Sequence, residues 1–153
     1  MARKRRLNSC AKGKRLEREL AAIFRAAGFP GTQRTIQGRG GAEAPDLSGL
    51  PIRVEVKGGS ARYVDPVGAL EQCERDGAAA KDPRVPVAIT RIDRGRWVVT
   101  IRAARLFELA GLYAGPTPHP IDREPVSMSL PALVALIAPR SDPTLLVNVF
   151  RDP

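Results

Sequence analysis

Residues 52–57, Ile-Arg-Val-Glu-Val-Lys, alternate apolar and charged side chains with a period of two. Only an extended strand puts every second side chain on one face. Ile52, Val54 and Val56 are therefore predicted to face a core, and Arg53, Glu55 and Lys57 to share the opposite face. Glu55 and Lys57 then stand about 7 Å apart along the strand. A short strand end at Asp46-Leu47 and a turn at Ser48-Gly49 come just before, so the stretch reads as a hairpin with carboxylates on both arms.

The flanking sequence sets the fold class. Asn8 or Ser9 is a good N-cap, and Leu16, Leu20, Ile23, Phe24 and Ala27 recur at helical spacing before Gly28 ends the run. Glu17 falls about 70° from the centre of that apolar stripe, at its border with solvent, and Arg18 points away. A short strand is expected near Thr32–Ile36, then a Gly-rich loop from Gln37 to Ala44 with no phosphate-cradling glycine pattern. Downstream, Asp65 caps a helix with Pro66 in its first turn. "VPVAITRI" is a nearly all-apolar strand and so a central one. Asp93-Arg94-Gly95 is a tight turn, "RWVVTI" the paired strand and "RAARLFELAGL" another helix. A Pro-rich loop, "GPTPHPIDREP", leads to an apolar helix near Leu130–Ala138 and a strand at "LLVNVF". The order predicts an α/β domain, a mixed central sheet flanked by helices. The 153 residues suit a single domain, with a basic arm at 1–8 and a distinct tail at 115–153.

Charge narrows the function. Residues 1–40 hold eleven Lys/Arg against two Asp/Glu, and residues 41–153 hold fourteen of each, so the whole net +9 lies in the first quarter. A basic block of this kind attracts a polyanion, nucleic acid above all, although a solvated arm without a dedicated ligand has the same composition. No apolar run approaches the roughly 20 residues of a membrane span, and no apolar signal segment follows "MARKRR", so a cytoplasmic protein is expected. Cys10 and Cys73 are too few for a disulfide framework or a zinc cluster.

Hard divalent cations take oxygen ligands. Asp46 and Glu55, on adjacent arms of the hairpin, are expected to converge on one ion, Mg²⁺ or Mn²⁺, with the Val56 carbonyl as a further ligand and Glu17 completing the site. Lys57 would stabilise charge or orient a water that the ion has acidified. Three carboxylates so close would repel one another without a cation. The competing reading is a solvated strand face whose charges are incidental.

These residues carry a resemblance. "PD…EVK" is similar to the motif of the PD-(D/E)XK nuclease superfamily, with its restriction-endonuclease-like fold. "KGKRLEREL" resembles the first helix of archaeal-type Holliday junction resolvases, matching at Lys12-Gly13 and Glu17-Arg18. The family's later arginine falls on Arg34, after Gly28-Phe29. "LEQCERDG" and "RWVVTI" are similar to features of phage-encoded relatives. The resemblance spans about Lys12 to Leu112. It implies a Mg²⁺-dependent, structure-selective endonuclease of recombination and repair, a homodimer cutting two strands of a four-way DNA junction. The metal-site carboxylates would be Glu17, Asp46 and Glu55, and Lys57 the catalytic lysine. The archaeal enzymes often have a serine near the strand break, where the hydroxyl available here is Thr35.

Arg3, Lys4, Arg5, Arg6, Lys12, Lys14 and Arg39 are read as phosphate contacts without sequence readout, and Arg18 and Arg34 as contacts nearer the cut. Gln72 is read as facing solvent, His119 as a loop residue, Trp97 as packing rather than base stacking, and Cys73 as buried. Two rival functions stay open. One is a different phage or restriction-type nuclease acting on linear or flapped DNA. The other is a non-catalytic basic DNA-binding protein.

Overall fold

A computed structural model describes residues 9–36, 43–112 and 120–138. Arg3, Lys4, Arg5, Arg6, Arg39, His119 and the strand expected at "LLVNVF" lie outside the described residues.

Helix α1 (Ser9–Ala26) is followed by β1 (Gln33–Arg34), β2 (Leu47–Ser48) and β3 (Ile52–Gly59). Helix α2 (Pro66–Ala79) then leads to β4 (Val85–Ile92) and β5 (Trp97–Arg102). Helix α3 (Ala103–Leu109), a 3₁₀ turn (Pro120–Arg123), β6 (Pro125–Ser129) and helix α4 (Leu130–Ile137) complete the described chain. The local signals act as expected. Asp65 accepts hydrogen bonds from the Val67 and Gly68 N–H groups and so starts α2. Gly28 takes a left-handed φ of 98° where α1 ends. Gly49 has φ 77°, and a Cβ there would run into the Gly31 carbonyl oxygen, so the β2–β3 turn needs glycine twice over.

The six strands lie side by side in chain order. Only β3 and β4 run parallel, with Ile52 opposite Val85 and Lys57 opposite Thr90. The other neighbours are antiparallel, so the sheet is mixed. Helix α2 makes the crossover that parallel neighbours require. Ile52, Val54, Val56, Val87, Ile89, Val99 and Ile101 form the apolar face and pack with Leu16, Leu20 and Phe24 of α1 and Leu130, Leu133 and Val134 of α4. The opposite face is covered by α2, whose Ala69 and Leu70 meet Ala88. The protein is thus a mixed α/β layer structure with helices on both faces of the sheet. None of the described helices is long and apolar enough to cross a membrane.

Two expectations need correction. The segment after the Pro-rich loop holds a strand, β6, that the sequence reading left unassigned. It begins with a proline and alternates small polar residues with Val126 and Met128, as an edge strand does. The competing reading of the charged face of β3 as a solvated one also fails for Arg53 and Glu55. Arg53 is 2% exposed and Glu55 7%, because α2 lies over them.

Candidate active site

The site arises where β2 stops short. Asp46, just before β2, donates its N–H to the Val54 carbonyl at 3.0 Å and so begins a normal antiparallel pairing. Beyond that point β3 has no partner strand on this side. The Val56 N–H donates instead to the Asp46 carboxylate, at 2.7 Å. An aspartate side chain therefore stands in for a strand carbonyl at the split edge of the sheet. The Thr35 N–H donates to the Asp46 carbonyl at 2.9 Å and fixes the same residue from β1, while the Thr35 hydroxyl lies buried without a partner.

Both helical layers meet at this split. From one face α1 comes so close to β3 that a Cβ at Gly58 would strike Leu16. Glu17 follows Leu16 and overhangs the edge. From the other face come Gln72 and Asp76, one turn apart on α2. Together Gly13, Glu17, Ala44, Asp46, Glu55, Val56, Lys57, Gly58, Gln72 and Asp76 enclose a cavity of about 300 Å³. Five expected site residues, Glu17, Asp46, Glu55, Val56 and Lys57, thus line one space. Gln72, expected from sequence to face solvent, also lines it. Asp76 was missed, and its signal was the four-residue spacing from Gln72, which puts both on one face of α2.

Three of the four cavity carboxylates, those of Glu17, Asp46 and Glu55, are turned towards an internal partner. Lys57 Nζ is 2.6 Å from Glu55 Oε1. Arg34 donates to and ion-pairs with Glu17, instead of standing free for a phosphate. Asp46 takes the Val56 N–H. Burial, and next the neighbouring Glu55, push the Asp46 carboxyl up from 3.8 to about 7, against the lowering effect of that N–H bond. The self-repulsion expected of such a cluster is present.

The donor set is hard oxygen throughout, the chemistry that Mg²⁺ and Mn²⁺ prefer. The expected convergence on one point, however, is absent. Among the described residues no three His, Cys, Asp or Glu side chains stand close enough together to ligate one ion as they are held here. An ion that took Glu55 or Glu17 as a ligand would have to displace Lys57 or Arg34 from it.

Lys12 and Lys14 are half-exposed on α1 and Arg18 is fully exposed. Trp97 is half-buried against the core with the Arg91 guanidinium 5.2 Å over its ring, so it packs, as expected. Cys73 is buried, its thiol pushed up to about 12 by burial. It donates weakly to the Arg53 carbonyl at 3.6 Å.

A second ionic cluster lies on the same strand. Arg53 donates to Asp82 at 3.0 Å and to the Glu43 carbonyl, three residues before Asp46. Arg84 forks onto both Asp82 oxygens from its Nε, at 2.9 and 3.1 Å, and these bonds hold the Asp82 carboxyl well below the usual carboxylate range. No family model, curated protein or solved structure matches the chain.

Proposed function

We propose that the chain is a divalent-metal-dependent endonuclease with a restriction-endonuclease-like core, acting on branched DNA and above all on four-way junctions. One observation carries the reading. Glu17, Asp46, Glu55 and Lys57 come from a helix, a strand end and a strand, yet line a single cavity. A solvated strand face with incidental charges gives no reason for the first helix to bring a glutamate to the same space. The excess of basic residues in the first 40 positions supplies a phosphate-binding flank.

In this reading Asp46, Glu55 and the Val56 carbonyl would hold the ion, and Glu17 would complete the set once turned from Arg34. The ion's contribution is to polarise a phosphoryl oxygen and to acidify a water. Lys57, now paired with Glu55, would offer its positive charge to the phosphate being cut. Arg18 holds a flanking phosphate, and Arg34 would join it once the ion takes Glu17 from it. The reaction adds a water oxygen to phosphorus, breaks one P–O ester bond and leaves a proton on the departing oxygen. Symmetric cutting of a four-way junction further requires two such sites about a two-fold axis, hence a homodimer.

The test is cleavage of a synthetic four-way junction in Mg²⁺ beside a linear duplex of matching sequence, with Glu55→Ala as control. Paired nicks on the junction alone, lost in the variant, are expected. Equal cutting of the duplex would keep the nuclease and remove the junction preference. Junction binding without cutting in Mg²⁺ or Mn²⁺ would leave a DNA-binding protein. A protein that sediments as a monomer would count against paired cutting.

A further inference from the structure

Tyr63 is 80% exposed, more than any other large apolar side chain described. Its backbone is nonetheless well anchored. The Tyr63 N–H donates to the Ser60 carbonyl at 2.9 Å and closes a turn directly after β3. Val64 folds back over Gly59, where a Cβ would meet it at 3.5 Å. Asp65 is fixed as the cap of α2. The ring is thus presented to solvent between two anchored neighbours, and nothing in the fold makes use of it.

Its surroundings are cationic. The Arg62 guanidinium sits 6.0 Å over the Tyr63 ring. The Asp93 N–H donates to the Gly59 carbonyl at 2.6 Å, which ties the β4–β5 turn, with Arg94 and Arg96, to the same end of the sheet. Arg62, Arg94 and Arg96 are exposed and pair with no carboxylate among the described residues. Arg91 and Trp97 nearby form the opposite case. Arg91 is spent on Glu19 and the Gly95 carbonyl, and its guanidinium covers the half-buried indole.

We propose that Arg62, Tyr63, Arg94 and Arg96 form a docking surface for an unpaired nucleotide beside the candidate cut. Tyr63 stacks on the base and the arginines take the adjoining phosphates. The inference rests on the nuclease reading and narrows its substrate to branched DNA that exposes an unpaired nucleotide at the branch point, as a flap or a junction opened at its crossover does. A lone aromatic among arginines fits nucleic acid, because bases supply flat faces and phosphates supply charge. Tyrosine and arginine also occur at protein interfaces, but three exposed arginines with no carboxylate paired to them among the described residues call for a polyanion, which nucleic acid supplies beside a stacking base. A duplex would leave the ring idle, because its bases are already stacked on one another. Tyr63 follows Lys57 by six residues, at most about 20 Å, so the surface lies within about six base steps of the cavity mouth.

The test is equilibrium binding in EDTA, where no cutting occurs, of labelled oligothymidylate of about 12 nucleotides and of a blunt duplex. Tyr63→Ala is expected to bind the single strand about tenfold more weakly with duplex affinity unchanged, and Tyr63→Phe to bind as the wild type does. Arg94→Ala should flatten the salt dependence of single-strand binding by a slope of about 0.7. Wild-type protein that ignores the single strand, or Tyr63→Ala protein that binds it equally well, would overturn the proposal. So would an equal loss on duplex. Junction cutting is scored separately. Cutting with an idle Tyr63 removes this surface alone, and a working Tyr63 without cutting removes the nuclease reading alone.

Discussion

Arg53 and Glu55 are two residues apart on β3, face the same way and are both buried under α2, yet they belong to opposite kinds of ionic cluster. Around Arg53 every charge has a partner built into the fold. Two guanidiniums share the Asp82 carboxylate, and a carbonyl takes a further donor. Around Glu55 carboxylates are in excess. Glu17, Asp46, Glu55 and Asp76 line one cavity to which, among the described residues, Lys57 is the one lining cation, with Arg34 reaching Glu17 from β1. The first arrangement holds Asp82 ionised and the second pushes Asp46 towards its neutral form. Burying a charge is tolerable when its partners are built in, as at Asp82. Where they are not, the fold carries a local penalty that a ligand can relieve, and such places mark functional sites.

The largest expected effect falls on the under-compensated side. Glu55→Ala should reduce metal-dependent cutting on the order of 10³-fold, since several kcal/mol of metal-assisted stabilisation depend on its ligands. Cutting that survives this change would erase the functional half of the contrast. The next effect falls on the partnered side. Asp82→Ala leaves Arg53, with a side chain 3% exposed, without its carboxylate. It should cost about 3 kcal/mol in urea unfolding, and a neutral result would show that the partnered cluster is not structural.

Asp46 gives the third comparison, with the sign set by its raised carboxyl. Between pH 3.8 and about 7 the folded protein keeps a proton that the unfolded chain has released. This group therefore makes stability fall as pH rises through that window, by at most about 1.4 kcal/mol per pH unit. Asp46→Asn should remove the slope, be about 2 kcal/mol more stable than wild type at pH 8 and differ little at pH 4. It should also abolish cutting. Denaturant melts across the pH range check this, and a variant less stable than wild type at pH 8 would break the argument. The smallest effect is expected at Gly77. A Cβ there would stand 3.0 Å from Arg53 Cδ. Gly77→Ala would favour the helix by about 0.8–1 kcal/mol but crowd the buried arginine by about 1–3 kcal/mol, for a net loss of about 1 kcal/mol in the same melts.

Much of this was legible in the chain. The Asp65-Pro66 start of α2, the glycine end of α1 and the alternation of β3 are local signals, and local physics decides them. The cavity residues Glu17, Asp46, Glu55, Val56 and Lys57 were legible because periodicity places each at a border or an end of its element. Arg53 was not. Period-two alternation gives the face of a side chain but not what covers that face, and the covering depends on α2 packing back across β3 and β4. Its partner Asp82 is 29 residues away. Asp76 and Gln72 were obscured in the same way, since a polar pair on an amphipathic helix looks like solvent surface until another layer faces it. The β6 strand alternates over only five residues and opens on a proline straight out of a Pro-rich loop, so it is its pairing with β5 that defines it. The turning of Glu17 towards Arg34 and of Glu55 towards Lys57 is likewise a choice among partners that sequence spacing does not make.

The central claim is that the cavity's surplus carboxylates await a divalent cation. Calorimetric titration of the protein with Mn²⁺ at pH 8 tests it most directly, with Asp46→Asn, Glu55→Ala and Asp82→Ala run in parallel. Saturable binding by the wild type and by Asp82→Ala, lost in the other two, is the predicted result. No saturable binding by the wild type, or binding that Asp46→Asn and Glu55→Ala leave unchanged, would contradict it.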